Sequence, residues 1–176
     1  DYLYLTHAAR APVLAAYKSR TISDATAEAE NIMLTRREMA LHPDYCEEFG
    51  ISQGDIERPD CKESVACVAY SQFLIDVGIT GDWLVNQIVH APCLLGYGVV
   101  ARALLNDPLS VRMEQGNKYR RWIGNYVAED SVEGERKGRA LIELRIVDQS
   151  PAGIEELVEI FAEAAEMEIR FWDNAY

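Results

Sequence analysis

The absences in this chain narrow it first. Its four cysteines (Cys46, Cys61, Cys67, Cys93) and three histidines (His7, His42, His90) lie too far apart to give a Cys-x-x-Cys or a Cys/His zinc spacing. Four cysteines in 176 residues make no disulfide framework, so free thiols in a reducing compartment, the cytoplasm, are expected. There is no signal-peptide pattern and no Asn-x-Ser/Thr sequon. No apolar run is read as approaching the roughly 20 residues of a membrane span. Basic residues are few, 17 against 29 acidic ones, and the net charge of −12 argues against a nucleic-acid groove or an anionic membrane surface. Period-2 alternation and Asn-Gly or Asp-Gly hairpin turns are missing, which leaves no sheet. Internal repeats and low-complexity tracts are missing too.

What remains is helical. At 49% hydrophobic the chain has the size and content of one domain with a real core. The apolar spacing predicts about seven helices. The first spans residues 2–18, with an apolar face through Leu5, Val13 and Tyr17. Ser23 or Asp24 caps the second, 25–41, which Pro43 ends; a short turn over 44–49 and a loop over 50–61 follow. The third, 63–77, stops at Gly78. Asp82 caps a central helix ending near Asn106-Asp107-Pro108, before a loop over 107–116. Helices over 117–128, 130–147 and 151–172 complete the chain, the last announced by Ser150-Pro151. The chain opens without methionine and closes at Tyr176 inside helical pattern, so it is expected to be one domain, 1–176, cut from a longer protein.

The central stretch is Ala91-Pro92-Cys93-Leu94-Leu95-Gly96-Tyr97-Gly98. Cys93 and Tyr97, four residues apart, share a helix face. Pro92 tends to bend the axis, and Gly96 and Gly98 suggest a close approach. A thiol there is either a buried core cysteine, the commoner case, or a nucleophile that needs an acid/base partner and a ligand-shaped wall. Nine tyrosines against four phenylalanines offer such a wall, though tyrosines also straddle core and surface. Gly96-x-Gly98-x-x-Ala101 looks like a dinucleotide fingerprint, but helical periodicity precedes it where a strand is required. Paired Glu-x-x-His motifs for a di-metal bundle are absent, Glu38 and His42 being four apart, and the histidines read as structural or surface residues. The acidic run from Glu155 to Glu166 reads as a solvated face, whereas Glu168, just before Phe171-Trp172, turns inward.

These pieces together resemble the TenA/thiaminase II family, with its haem-oxygenase-like all-α bundle. The resemblance runs along the whole chain. It rests on Asp1-Tyr2-Leu3-Tyr4-Leu5, Ala69-Tyr70-Ser71, Pro92-Cys93-x-x-Gly96-Tyr97, Tyr119-x-x-Trp122-Ile123-x-x-Tyr126 and Glu168-x-x-Phe171-Trp172-x-x-Ala175-Tyr176, in that order. Residues 7–11 and 72–78 are most similar to fungal members, some of which carry this domain behind a hydroxymethylpyrimidine kinase. The resemblance implies that Cys93 is the nucleophile, Glu168 the acid/base and Asp1 the aspartate holding an aminopyrimidine ring. It makes Tyr4, Tyr70, Tyr97 and Tyr126 the residues that stack on the ring or hydrogen-bond around the thiol and the glutamate. It further implies a homotetramer, no metal or organic cofactor, and hydrolysis of thiamine-related pyrimidines in thiamine salvage. Family members carry more helix before the aspartate and a short tail after the final Phe-Trp. Two other classes stay open: a pyrimidine-binding or regulatory module without turnover, and a purely structural helical unit.

Overall fold

The structure, a computed structural model, describes residues 1–108, 110 and 117–174. Among the described residues there is no strand, and nine helical elements form an all-α bundle. They are α1 (Tyr2–Ala8), α2 (Arg10–Lys18), α3 (Ile22–Glu47), α4 (Gln53–Ile56), α5 (Val65–Thr80), α6 (Trp83–Asn106), α7 (Arg120–Val127), α8 (Glu129–Ile146) and α9 (Pro151–Asp173). Most of the loop read over residues 107–116, together with Ala175 and Tyr176, lies outside the described residues.

Helix α6 is the axis, packed against α2, α5, α7, α8 and α9, while α3 lies over α1, α2 and α4. Its start follows from Asp82, whose carboxylate accepts from the Val85 amide at 2.9 Å. It runs unbroken through Pro92, which takes one backbone donor out of the ladder. By length and composition α6 is apolar enough to cross a membrane, against the reading that no run approached that length. It serves as the core helix of the bundle, with Leu84, Ile88, Val89, Ala91 and Ala101 buried.

Side-chain caps set half of the other starts: Thr21, not the expected Ser23 or Asp24, for α3, Ser64 for α5 and Ser150 for α9, each accepting an amide at 3.1 Å. Four further expectations are corrected. The segment 2–18 is two helices, because Pro12 has no N–H to offer the Ala8 carbonyl and the chain breaks at Ala9; Val13 and Tyr17 stand 53% and 87% exposed, off any buried face. Pro43 does not end α3, whose last turn is held by a Tyr45–Phe49 ring contact at 5.2 Å and leaves through Gly50, at φ 77°. The 50–61 loop contains α4, nucleated by a Ser52/Asp55 capping box. Gly78 does not stop α5 but lets α6 approach: a Cβ there would lie 2.9 Å from Asn86 Nδ2. Lys18 supplies the true stop, its Nζ donating to the terminal carbonyls of Gly78, Ile79 and Gly81.

Two apolar clusters hold the bundle. One joins Leu84, Ile88 and Leu157; the other joins Tyr4, Leu5, Cys67, Tyr70, Leu74, Val89 and Ala164, and Cys93 packs against its edge. Burying a side chain of Leu or Val size contributes about 1.5–3 kcal/mol, so these clusters fix where α1, α5, α6 and α9 meet. They meet around Cys93.

Candidate active site

Cys93 is half-buried on α6 and free. Beside it, Glu168 projects from α9, 8% exposed, and its Oε1 accepts the Tyr70 hydroxyl at 2.8 Å. Glu168 Oε2 and the Tyr4 hydroxyl are buried without a hydrogen-bond partner. Both lie beside the Cys93 thiol and act on it, and neither has an oxygen or nitrogen partner.

Two aromatic walls flank this pair. The first stacks Tyr4 on Tyr70 at 5.2 Å and 13°, with Phe171 at 5.3 Å from Tyr4. Both tyrosines belong to the core, at 3% and 0% exposed. The second joins Tyr97, Trp122, Tyr126 and Trp172, with Tyr97 5.0 Å from Tyr126 and 5.4 Å from Trp172. Tyr126 and Trp122 come from α7, whose ring contact at 4.9 Å follows from their spacing of four. The Tyr126 hydroxyl donates to Glu38 Oε1 on α3 at 3.4 Å.

Burial pushes the Cys93 thiol well up, and the carboxylates of Glu168 and then Glu38 push it further; the Tyr4 hydroxyl pulls the other way. The resting sulfur is therefore a thiol. Burial also raises Glu168, against the hydrogen bond from Tyr70, so this carboxyl can hold a proton at higher pH than an exposed glutamate. Tyr4, Tyr70, Tyr97 and Tyr126 are all raised, chiefly by burial, and remain neutral donors. A thiol, a proton-holding carboxyl and rings that can cover a flat ligand are the parts of a covalent, acid/base-assisted site.

Of the seven residues singled out in the sequence, six converge: Tyr4, Tyr70, Cys93, Tyr97, Tyr126 and Glu168. Asp1 is exposed at the start of α1, one turn before Tyr4, with no side-chain cap bond of its own. Its amino group acts on His42, whose imidazole is lowered to about 4, first by burial. Glu38 was not seen as a site residue, and its spacing of four from His42 was the only mark it carried. Phe171 and Trp172 were legible from their offsets of three and four from Glu168. Gly98 makes the expected close approach, but to α8: a Cβ there would fall 2.6 Å from Glu135 Oε2, which pairs with Arg102 at 2.8 Å. Gly96 has nothing within 4 Å. Both glycines lie inside α6, which removes the phosphate-cradle reading. Among the described residues no group of three or more His, Cys, Asp or Glu could hold a metal.

Fold and site thus define an all-α protein with a cysteine and a glutamate set between aromatic walls. The chain belongs to the TENA/THI-4/PQQC family, whose sequence profile matches residues 1–176. It is 39% identical over its whole length to a Schizosaccharomyces pombe protein provisionally named hydroxymethylpyrimidine/phosphomethylpyrimidine kinase 2, of which it spans 31%. It is 31% identical to the Saccharomyces cerevisiae hydroxymethylpyrimidine/phosphomethylpyrimidine kinase THI20 over 99% of the chain and 31% of that protein. The chain therefore spans about a third of these yeast relatives. A solved structure from Silicibacter sp. TM1040, described as a TenA family transcription regulator, superposes with a TM-score of 0.81 at 30% identity, over 98% of this chain and 76% of that one. A TenA homologue from Pyrococcus furiosus gives 0.82 at 20% identity, over 100% and 80%, a likeness of fold.

Proposed function

We propose that this domain is a hydrolase of thiamine-related pyrimidines, acting through Cys93 in thiamine salvage. The observation that carries the reading is the Cys93–Glu168 pair between two aromatic walls, with Glu168 Oε2 and the Tyr4 hydroxyl unpartnered. A 4-aminopyrimidine with a 5-methylene leaving group fits it chemically: the ring is flat, electron-poor and edged with hydrogen-bonding nitrogens.

In the proposed reaction the Cys93 proton passes to Glu168 and the sulfur adds to the ring carbon next to the methylene-bearing one. Glu168 returns the proton to the adjacent ring nitrogen, so the ring becomes an enamine. Its electrons break the bond from methylene to the leaving group, which departs with that bonding pair as ammonia (from an ammonium) or as a thiazole (from thiazolium). Water then adds its oxygen to the exposed methylene and gives up a proton to the carboxylate. Loss of the ring N–H proton expels Cys93, which is reprotonated. The carboxylate then releases its proton to solvent, and the sum is cationic substrate plus water to hydroxymethylpyrimidine, ammonia or thiazole, and one proton. Asp1 is assigned the polar edge of the ring, and Tyr4, Tyr70, Tyr97 and Tyr126 the positioning of ring, thiol and carboxyl, with no metal or organic cofactor. A homotetramer, a cytoplasmic location and a kinase domain on the same polypeptide complete the proposal; the yeast relatives named as kinases are about three times as long as this chain.

The test is to supply the full-length protein with 4-amino-5-aminomethyl-2-methylpyrimidine and, separately, thiamine, and to measure hydroxymethylpyrimidine, ammonia and thiazole. Product formation from either supports the reading, and the ratio of kcat/KM values identifies the preferred substrate. A second reading, a pyrimidine-responsive regulatory module, is favoured by the Silicibacter neighbour described as a transcription regulator. Saturable binding of both compounds with no product would establish that reading instead.

A further inference from the structure

The mechanism above uses one carboxylate, yet a second acts on the same sulfur. Glu38 comes from α3 and is seated by the Tyr126 hydroxyl at 3.4 Å. Tyr126 lies against Tyr97, at 5.0 Å, and Tyr97 is one helical turn beyond Cys93 on α6. Three helices therefore bring a glutamate, two tyrosines and the thiol together. Both carboxylates raise the Cys93 thiol, Glu168 more than Glu38.

The two carboxylates differ in their surroundings. Glu168 is enclosed at 8% exposed and held by Tyr70. Glu38 is exposed, next to the half-buried Tyr126, which in turn contacts Trp122. No lysine or arginine among the described residues acts on either one. A pair of carboxylates with no cation acting on them among the described residues favours a ligand that brings positive charge. Aromatic faces beside the second carboxylate add to that preference, because ring quadrupoles attract cations. Glu168 Oε2 and the Tyr4 hydroxyl, which have no oxygen or nitrogen partner, leave hydrogen-bonding capacity beside the thiol.

We propose that Glu38 recognises the positive charge on the leaving end of the substrate, so that the ring lies on the Glu168 side and the cation on the open Glu38 side. This rests on the pyrimidine-hydrolase reading. It gives the two candidate substrates one shared feature: an alkylammonium, protonated at neutral pH like a lysine amine, and a thiazolium, permanently charged. Both leave as neutral molecules, so the attraction to Glu38 disappears as the bond breaks and release follows on the exposed side. Burial also raises Glu38, and a bound cation would restore its ionised form.

The test separates charge recognition from catalysis by measuring binding in full-length protein carrying Cys93→Ser, with Glu38 intact, Glu38→Gln or Glu38→Asp. Calorimetry with three probes is decisive: the aminomethylpyrimidine, thiamine and the neutral hydroxymethylpyrimidine. Glu38→Gln is expected to weaken both cations about 10- to 100-fold and the neutral alcohol less than threefold, while Glu38→Asp keeps the preference for cations. Equal weakening of all three probes, or of none, overturns the proposal and leaves the hydrolase reading standing. If none of the three binds with Glu38 intact, the pyrimidine reading itself falls and this inference falls with it.

Discussion

The wall formed by Tyr4, Tyr70 and Phe171 belongs to the core of the bundle, whereas the wall formed by Tyr97, Trp122, Tyr126 and Trp172 stands largely outside it. Tyr4 and Tyr70 are nearly solvent-free and share a cluster with Leu5, Leu74, Val89 and Ala164. Trp122 and Tyr126 are half-buried and sit on α7, an eight-residue helix with a single buried residue, Ile123. The first wall holds the glutamate through Tyr70; the second rests on a helix with little buried surface. A site that must hold a proton precisely and still exchange a ligand has reason to divide the two tasks in this way.

Breaking the first wall should cost both fold and chemistry. Glu168→Gln is expected to lower kcat about 10²- to 10⁴-fold, the usual worth of a positioned acid/base, with far-UV circular dichroism unchanged. Tyr70→Ala should destabilise by about 3–5 kcal/mol in chemical denaturation, as emptying a buried aromatic position does. Tyr70→Phe keeps the packing and removes only the bond to Glu168. Because that bond pulls the carboxyl down, its loss should move the Glu168 limb of the pH–rate profile to higher pH. Breaking the second wall should act on binding: Trp122→Ala is expected to raise KM several-fold and to cost less stability than Tyr70→Ala.

The smallest effects sharpen the picture away from the walls. Glu28 is 2% exposed and accepts from Trp83, Gln87 and Asn31 without a cation, and burial raises it. Glu38 and Glu168 are raised as well. A carboxyl raised in the folded state binds its proton more tightly folded than unfolded. Stability from these groups is thus complete below the ordinary value near 4.5 and is lost as pH climbs through the folded values. Thermal melts of Glu28→Gln across pH 4.5–8 should show a shallower decline than the unsubstituted protein. On α6, Gly96→Ala should gain about 0.5–1 kcal/mol, having open space, while Gly98→Ala should gain nothing because it displaces Glu135. Equal melting shifts for the two would contradict that contrast.

Much of this was legible in the residues. Asp82 and Ser150-Pro151 marked helix starts that the structure keeps, and Cys93, Tyr97 and Glu168 stood out by spacing and chemistry. The errors came from reading proline and glycine locally. Pro43 lies inside a helix whose last turn is secured by Phe49, itself 5.7 Å from Tyr119, and Gly78 is required by Asn86 across the α5–α6 contact. Such partners are distant in sequence and leave no periodic trace. Glu38 was invisible for the same reason, since its meaning depends on Tyr126, 88 positions away.

The most direct test of the account is the hydrolysis rate of 4-amino-5-aminomethyl-2-methylpyrimidine by the Cys93→Ser variant of the full-length protein. With the sulfur as nucleophile, kcat should fall by about 10³-fold or more at unchanged melting temperature, since removing a nucleophile takes away its whole catalytic unit. A serine variant that keeps most of its turnover would contradict the assignment of Cys93 and return it to the core as a buried thiol.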